Sequence, residues 1–159
     1  MDDVTFARAL HVLAVVLWIG GVGLVTTVLL PALRLIRGPA EQIALFEAIE
    51  GRFARQARVS ILVAGVSGLY MLVQVQAWDR FASLSYWWMH AVVLVWLIFA
   101  GMLFVLEPLV LHRPFAERAR RSPDVTFRTI HRFHMIPLAL SLLTVFGAVG
   151  GSHGLSLFD

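Results

Sequence analysis

The chain contains no cysteine, which excludes disulfides, thiolate metal sites, covalent c-type haem attachment and thiol nucleophiles. Redox chemistry would therefore need a bound cofactor. Lysine is missing as well, so all 13 basic residues are arginine. Charge of either sign is scarce, at 14% of 159 residues, too little for the surface of an ordinary soluble domain. There is no Walker loop, no dinucleotide fingerprint, no tandem repeat and no low-complexity tract, so ATP or NAD use has no support. Polar residues within the apolar runs, such as Gln74, Ser67, Thr26, Ser141 and Thr144, make no nucleophile-and-base constellation, which argues against hydrolysis.

What is present is apolar surface. Hydrophobic residues make up 59% of the chain and mean hydropathy is +0.81. Four windows free of long charged stretches, at residues 9–33, 59–78, 81–106 and 133–158, each reach the roughly 20 residues that cross a hydrocarbon core of about 30 Å. Lipid offers the backbone no hydrogen-bond partner, so each window is expected to be helical. The expectation is an all-α, integral membrane four-helix bundle in a single domain, with polar loops at residues 34–58 and 107–132. The first window follows Met1, Asp2 and Asp3 without a basic leader region, so it is read as a retained helix.

The arginines set an orientation. Arg34, Arg37, Arg52, Arg55 and Arg58 fall in one loop, and Arg113, Arg118, Arg120, Arg121, Arg128 and Arg132 in the other. The opposite side carries only Asp2, Asp3, Arg8, Asp79, Arg80 and Asp159. The positive-inside rule then places both loops in the cytoplasm and both termini in the periplasm of a bacterial inner membrane. The high isoelectric point is thus a loop-charge signal and not a nucleic-acid footprint. Residues 39–58 alternate Ile43, Phe46, Ile49 and Phe53 with charges, which suits either an interfacial helix or an extension of the second span. Trp78, Tyr86, Trp87 and Trp88 cluster at the short outer turn, at headgroup level. Gly20, Gly21, Gly65, Gly68, Gly147 and Gly151 permit close helix contact, or room for a flat ligand.

The histidines carry the functional signal, because an ionisable group in an apolar span is costly. His11 and His90 lie at similar depths near the outer ends of the first and third windows, and His153 lies nearer that same surface. His131 and His134, three apart on one face, form with His112 a second set at the cytoplasmic side. Imidazole is a good axial ligand for haem iron, and a four-helix bundle builds cofactor sites from facing helices. His11 and His90 are therefore expected to clamp a haem b, with Trp18 on the face of His11 and Arg8 near enough to pair with a propionate. His131 or His134 is a candidate ligand for a second haem. Imidazole also suits copper, for which His11, His90 and His153 would make a triad near the outer face. Met71, Met89, Met102 and Met135 are too scattered to form a methionine ladder and are read as packing. In a third reading the histidines only tie helices together in a cofactor-free scaffold subunit.

Ala9-Leu10-His11-Val12 running into Leu17-Trp18-Ile19-Gly20-Gly21 resembles the opening helix of the CopD-like superfamily, which includes copper-resistance D domains and haem-containing bacterial protoporphyrinogen oxidases. The likeness extends through Leu45-Phe46-Glu47 to Arg52-Phe53, Trp88-Met89-His90-Ala91 and Phe133-His134-Met135-Ile136-Pro137. It implies haem binding through His11, with His90 in the position of a histidine that the oxidases follow, two residues on, with lysine. Here that lysine position holds Val92, and the segment His134 to Pro137 lacks the oxidases' acidic residue. The resemblance implies haem binding, and the two departures weigh against protoporphyrinogen oxidation.

The expected activity is electron transfer or oxidation, as a haem-dependent oxidoreductase, with copper handling as the alternative. The expected partners are the lipid bilayer, a redox protein or quinone, and a second copy in a homodimer, with no nucleic acid.

Overall fold

The computed structural model describes residues 2–36, 38–111 and 122–155, and among them there is no strand. Four helices are long and apolar enough to cross a membrane, with spans over Asp3–Leu33, Ala40–Gln74, Leu84–Glu107 and Val125–Ser152. The chain is thus an all-α, multi-pass membrane bundle.

The first helix is α-helical over Asp2–Leu24, widens to a π-helix over Val25–Leu29, and closes as an α-helical turn over Leu30–Leu33. The second, Pro39–Gln74, is unbroken for 36 residues. The expected loop at residues 34–58 is therefore mostly helix, and the amphipathic segment extends the second span rather than lying apart from it. Proline at its start has no N–H to leave unsatisfied, which suits the first turn. The second helix ends earlier than expected, at Gln74, because Gln76 adopts the left-handed conformation with φ 50°.

The third window is also revised at its start. Residues Ala77–Ala82 and Leu84–Tyr86 form short 3-10 turns, and the helix proper runs over Trp87–Gly101 before widening into a π-helix over Met102–Leu111. The fourth helix covers Pro123–Ser152, starting ten residues before its expected apolar window and carrying Pro137 inside it. Charged residues at its start held the sequence boundary back, while Ser122 and Pro123 open the helix.

Packing pairs the first helix with the second and the third with the fourth; contacts between the first and third are sparse. The bundle is small and tight inside and apolar outside. Ala54, Ala57, Ala64 and Ser60 are buried along one face of the second helix, whereas Leu62, Val66, Leu69 and Val73 on its other side are exposed. The fourth helix does the same with Ser141 and Thr144 inside and Leu142, Leu143 and Phe146 outside. An apolar exterior around a small-residue interior is the pattern of helices that face lipid.

The membrane interior leaves these polar side chains no water. Thr26, Ser67 and Ser141 accordingly hydrogen-bond their own helix four residues back, to Val22, Val63 and Pro137. Close approach is made by glycine. A Cβ on Gly65 would lie 2.7 Å from the Trp96 ring, whose indole N–H donates to Ile61 O at 2.9 Å. Gly151 is covered in the same way by Trp88. At the centre, Trp18 and Phe99 meet edge to face at 4.9 Å across the bundle.

Candidate functional site

The helices part at the arginine-rich end, where the first and third finish and the second and fourth begin. They border a partly open cavity of about 1130 Å³, above the roughly 300–1,000 Å³ of common small-molecule sites. Its wall is built in layers. Trp18, Val22 and Val25 come from the first helix; Phe46, Gly51, Phe53, Ala54 and Ala57 from the second; Phe99, Met102 and Leu103 from the third; Phe133, His134 and Pro137 from the fourth. Both π-helical segments border it, since Val25 and Met102 belong to them. Polar groups are few: Glu47, Glu50, Glu107, Ser122, Thr126, Thr129 and His134.

His134 is the only histidine in this wall among the described residues. Its Nδ1 lies 2.9 Å from the carbonyl oxygen of Ile130. A carbonyl can only accept, so Nδ1 carries the proton and donates, and the neutral ring keeps its lone pair on Nε2. That bond fixes the tautomer and the ring orientation, which is how ligand histidines are held in metal sites. His134 is thus a poised nitrogen donor in an aromatic, apolar chamber.

Glu107 is 7% exposed and sits on the π-helical stretch of the third helix. Arg58 of the second helix pairs with its Oε1 at 3.0 Å and donates through Nε to Leu103 O at 3.2 Å. Oε2 of Glu107 and the indole Nε1 of Trp18 are buried with no hydrogen-bond partner among the described residues. Buried polar atoms are seldom left so; Gln42 Oε1 and Trp88 Nε1, outside the cavity lining, are in the same position.

Among the described residues, no hydrogen bond or ring contact joins His11 to His90. His11 is half-buried and turned to the second helix, with Nδ1 2.9 Å from Ala64 O and 3.2 Å from Ser67 Oγ, and its ring edge lies beside Gly68. His90 is exposed on the third helix, with Phe81 edge to face at 5.2 Å. The helices that carry them sit diagonally in the bundle, which sequence spacing could not reveal. His11 shares with His134 a protonated Nδ1, which leaves the ring's lone pair on Nε2. His153 lies exposed just past the fourth helix, its Nδ1 2.8 Å from Val149 O.

His11, His90 and His153 do not form a three-donor cluster; no group of three or more His, Cys, Asp or Glu comes together among the described residues. Arg8 is exposed. Trp18, expected near His11, lines the cavity instead, two turns further in. His131 departs from His134: Arg34 donates to its Nδ1 at 3.1 Å, which takes up the lone pair that a metal would need. His112 lies outside the described residues.

The sequence reading passed over Glu107, Glu47 and Glu50 as cavity residues. Closing the third window at Leu106 put Glu107 outside the membrane, whereas the span includes it. The available signal was an acid at the end of a long apolar run with Arg58, the last of three arginines before the apolar stretch, on the facing helix.

No family model, no curated protein and no solved structure matches the chain. The described residues define a four-helix membrane bundle with a partly open, largely apolar cavity at its arginine-rich end.

Proposed function

We propose that this is a haem b-binding protein of the bacterial inner membrane, CopD-like in kind, with His134 as the axial ligand in the cavity. The observation that carries the reading is His134 itself: one imidazole in a wall of aromatic and aliphatic side chains, with Nδ1 tied to Ile130 O and Nε2 left to coordinate. The volume is right for a large ring compound, and Phe46, Phe53, Phe99 and Phe133 offer the apolar faces that a macrocycle needs. Haem would supply one-electron chemistry, which fits a chain without cysteine or a nucleotide site. The protein's own contribution would be to fix the His134 imidazole through Ile130 O and to surround the group with apolar side chains. Among the described residues His134 is the one histidine that would hold such a group from the wall. Electron transfer or oxidation is the activity that follows. By the arginine distribution, the cavity faces the cytoplasm and both termini face the periplasm.

The test is reconstitution of haem-free protein with haem in detergent, followed by Soret absorbance. Gly51 lines the cavity, and a Cβ there meets nothing within 4 Å. Gly51→Phe should fill the chamber without strain and abolish binding, while His134→Ala should remove the ligand-dependent band position. Full binding to both variants would reject the site.

A further inference from the structure

Every described histidine but one is hydrogen-bonded: His11 to Ala64 O, His131 to Arg34, His134 to Ile130 O and His153 to Val149 O. His90 has no hydrogen bond among the described residues, and its ring contact is with Phe81, edge to face at 5.2 Å. It is exposed, near the start of the Trp87–Gly101 helix and inside the Leu84–Glu107 span. Hydrocarbon can satisfy neither the donor nor the acceptor of an imidazole, and ionisable side chains within spans almost always face protein or water. The same helix is the least covered in the bundle: 11% of its apolar window is buried, against 28%, 28% and 22% in the first, second and fourth spans. His90, Leu94, Leu97 and Gly101 follow at steps of four, three and four, the spacing of a heptad seam, and Leu94 and Leu97 are each more than half exposed. A Cβ on Gly101 would meet nothing within 4 Å, so that end of the seam is open to a close neighbour. From Met102 the helix widens to π, the spacing changes, and the seam stops.

We infer that this face of the third helix is where two copies of the chain meet, with His90 hydrogen-bonded to His90 of the second copy. All copies insert with the same end outward. A two-fold axis along the membrane normal therefore brings parallel helices together, and each residue of the seam meets itself at the same depth. Neutral imidazole is self-complementary in that setting, because the N–H of one ring donates to the lone pair of the other. A lipid chain offers neither group. Seam spacing of 3.5 residues suits parallel helices crossing at about 20°. The interface lies apart from the cavity wall, so it holds whatever the cavity binds.

The chain has no cysteine, so a single introduced cysteine reports its own proximity to its copy. Leu94→Cys and Leu97→Cys are compared with Leu62→Cys and Leu142→Cys, on exposed faces of the second and fourth helices, by oxidative cross-linking in native membranes. The seam variants should give a disulfide-linked dimer and the controls almost none. Adding His90→Ala to Leu97→Cys should reduce the cross-linked fraction. In the otherwise unchanged chain, His90→Ala should weaken association in micelles by about threefold to twentyfold, the range of one hydrogen bond between membrane helices. His90→Asn, whose amide keeps a donor and an acceptor, should restore it. His90 is exposed, so neither replacement disturbs the packed interior. Equal cross-linking from all four positions would mean random collision in the bilayer and overturn the inference. Cross-linking from Leu62→Cys or Leu142→Cys alone would overturn it by putting the interface on another helix. A monomer in both membranes and micelles would leave the seam to lipid, with the same consequence. Association unchanged by His90→Ala would overturn the imidazole pairing.

Discussion

Replacing Gly65 with leucine tests the packing on which the bundle depends. A Cβ at this position would lie 2.7 Å from the Trp96 ring carbon and 2.9 Å from its Nε1, so the indole must move. Moving it breaks the hydrogen bond to Ile61 O. Overpacking of this kind costs about 1–3 kcal/mol, and a hydrogen bond between membrane helices about 0.6 kcal/mol. The expected loss is therefore roughly 2–4 kcal/mol, a large share of the stability of a small domain. Gly20→Leu is the control, since nothing lies within 4 Å of its Cβ and the position is exposed. The assay is reversible unfolding in mixed micelles, followed by helical circular dichroism and tryptophan emission. Equal stability of the two variants would refute the reasoning, because it would mean that Trp96 does not rest on Gly65.

Three further outcomes follow from named contacts. In a double-mutant cycle, Arg58→Ala and Glu107→Ala should show a coupling of about 1–3 kcal/mol, below the roughly 3–5 kcal/mol of fully buried pairs because Arg58 is partly exposed; additive losses would deny the ion pair. Ser67→Ala should cost less than about 1 kcal/mol, since His11 keeps Ala64 O as its main partner, whereas His11→Ala should cost more by opening a gap against Gly68; the reverse order in an unfolding titration would contradict this. Because the chain has no cysteine, single cysteines report topology cleanly: one at Arg55 should be labelled only after the inner membrane is permeabilised, and one at Ser83 from the periplasm. Labelling with the sides exchanged would reverse the orientation that the arginines imply.

The fold class was legible in the sequence because lipid leaves so few alternatives: apolar runs of the right length must be helices. Boundaries were less legible where charge and helix coexist. The charged starts of the second and fourth helices read as loops, yet Pro39–Gln74 and Pro123–Ser152 are continuous. At the outer turn, the apolar residues Phe81, Ala82 and Leu84 read as span but form 3-10 turns, a conformation that hydropathy does not encode. The candidate site was half visible. His134 could be singled out as an ionisable group in an apolar run, and Trp18 as a large aromatic on the first helix. Their meeting in one chamber depends on which helices are neighbours and which lie diagonally, and four apolar stripes of similar strength do not specify that order. His11 and His90 match in depth, yet one faces the second helix and the other is exposed.

The most direct measurement of the central claim is an oxidised-minus-reduced absorption spectrum of the detergent-purified protein, with a pyridine haemochrome assay, in wild type, His134→Ala and the His11→Ala/His90→Ala pair. The account predicts a b-type signal in wild type that is lost or strongly shifted in His134→Ala and kept in the paired variant. A b-type signal that survives in His134→Ala and disappears when His11 and His90 are removed would contradict it and move the haem to the other end of the bundle.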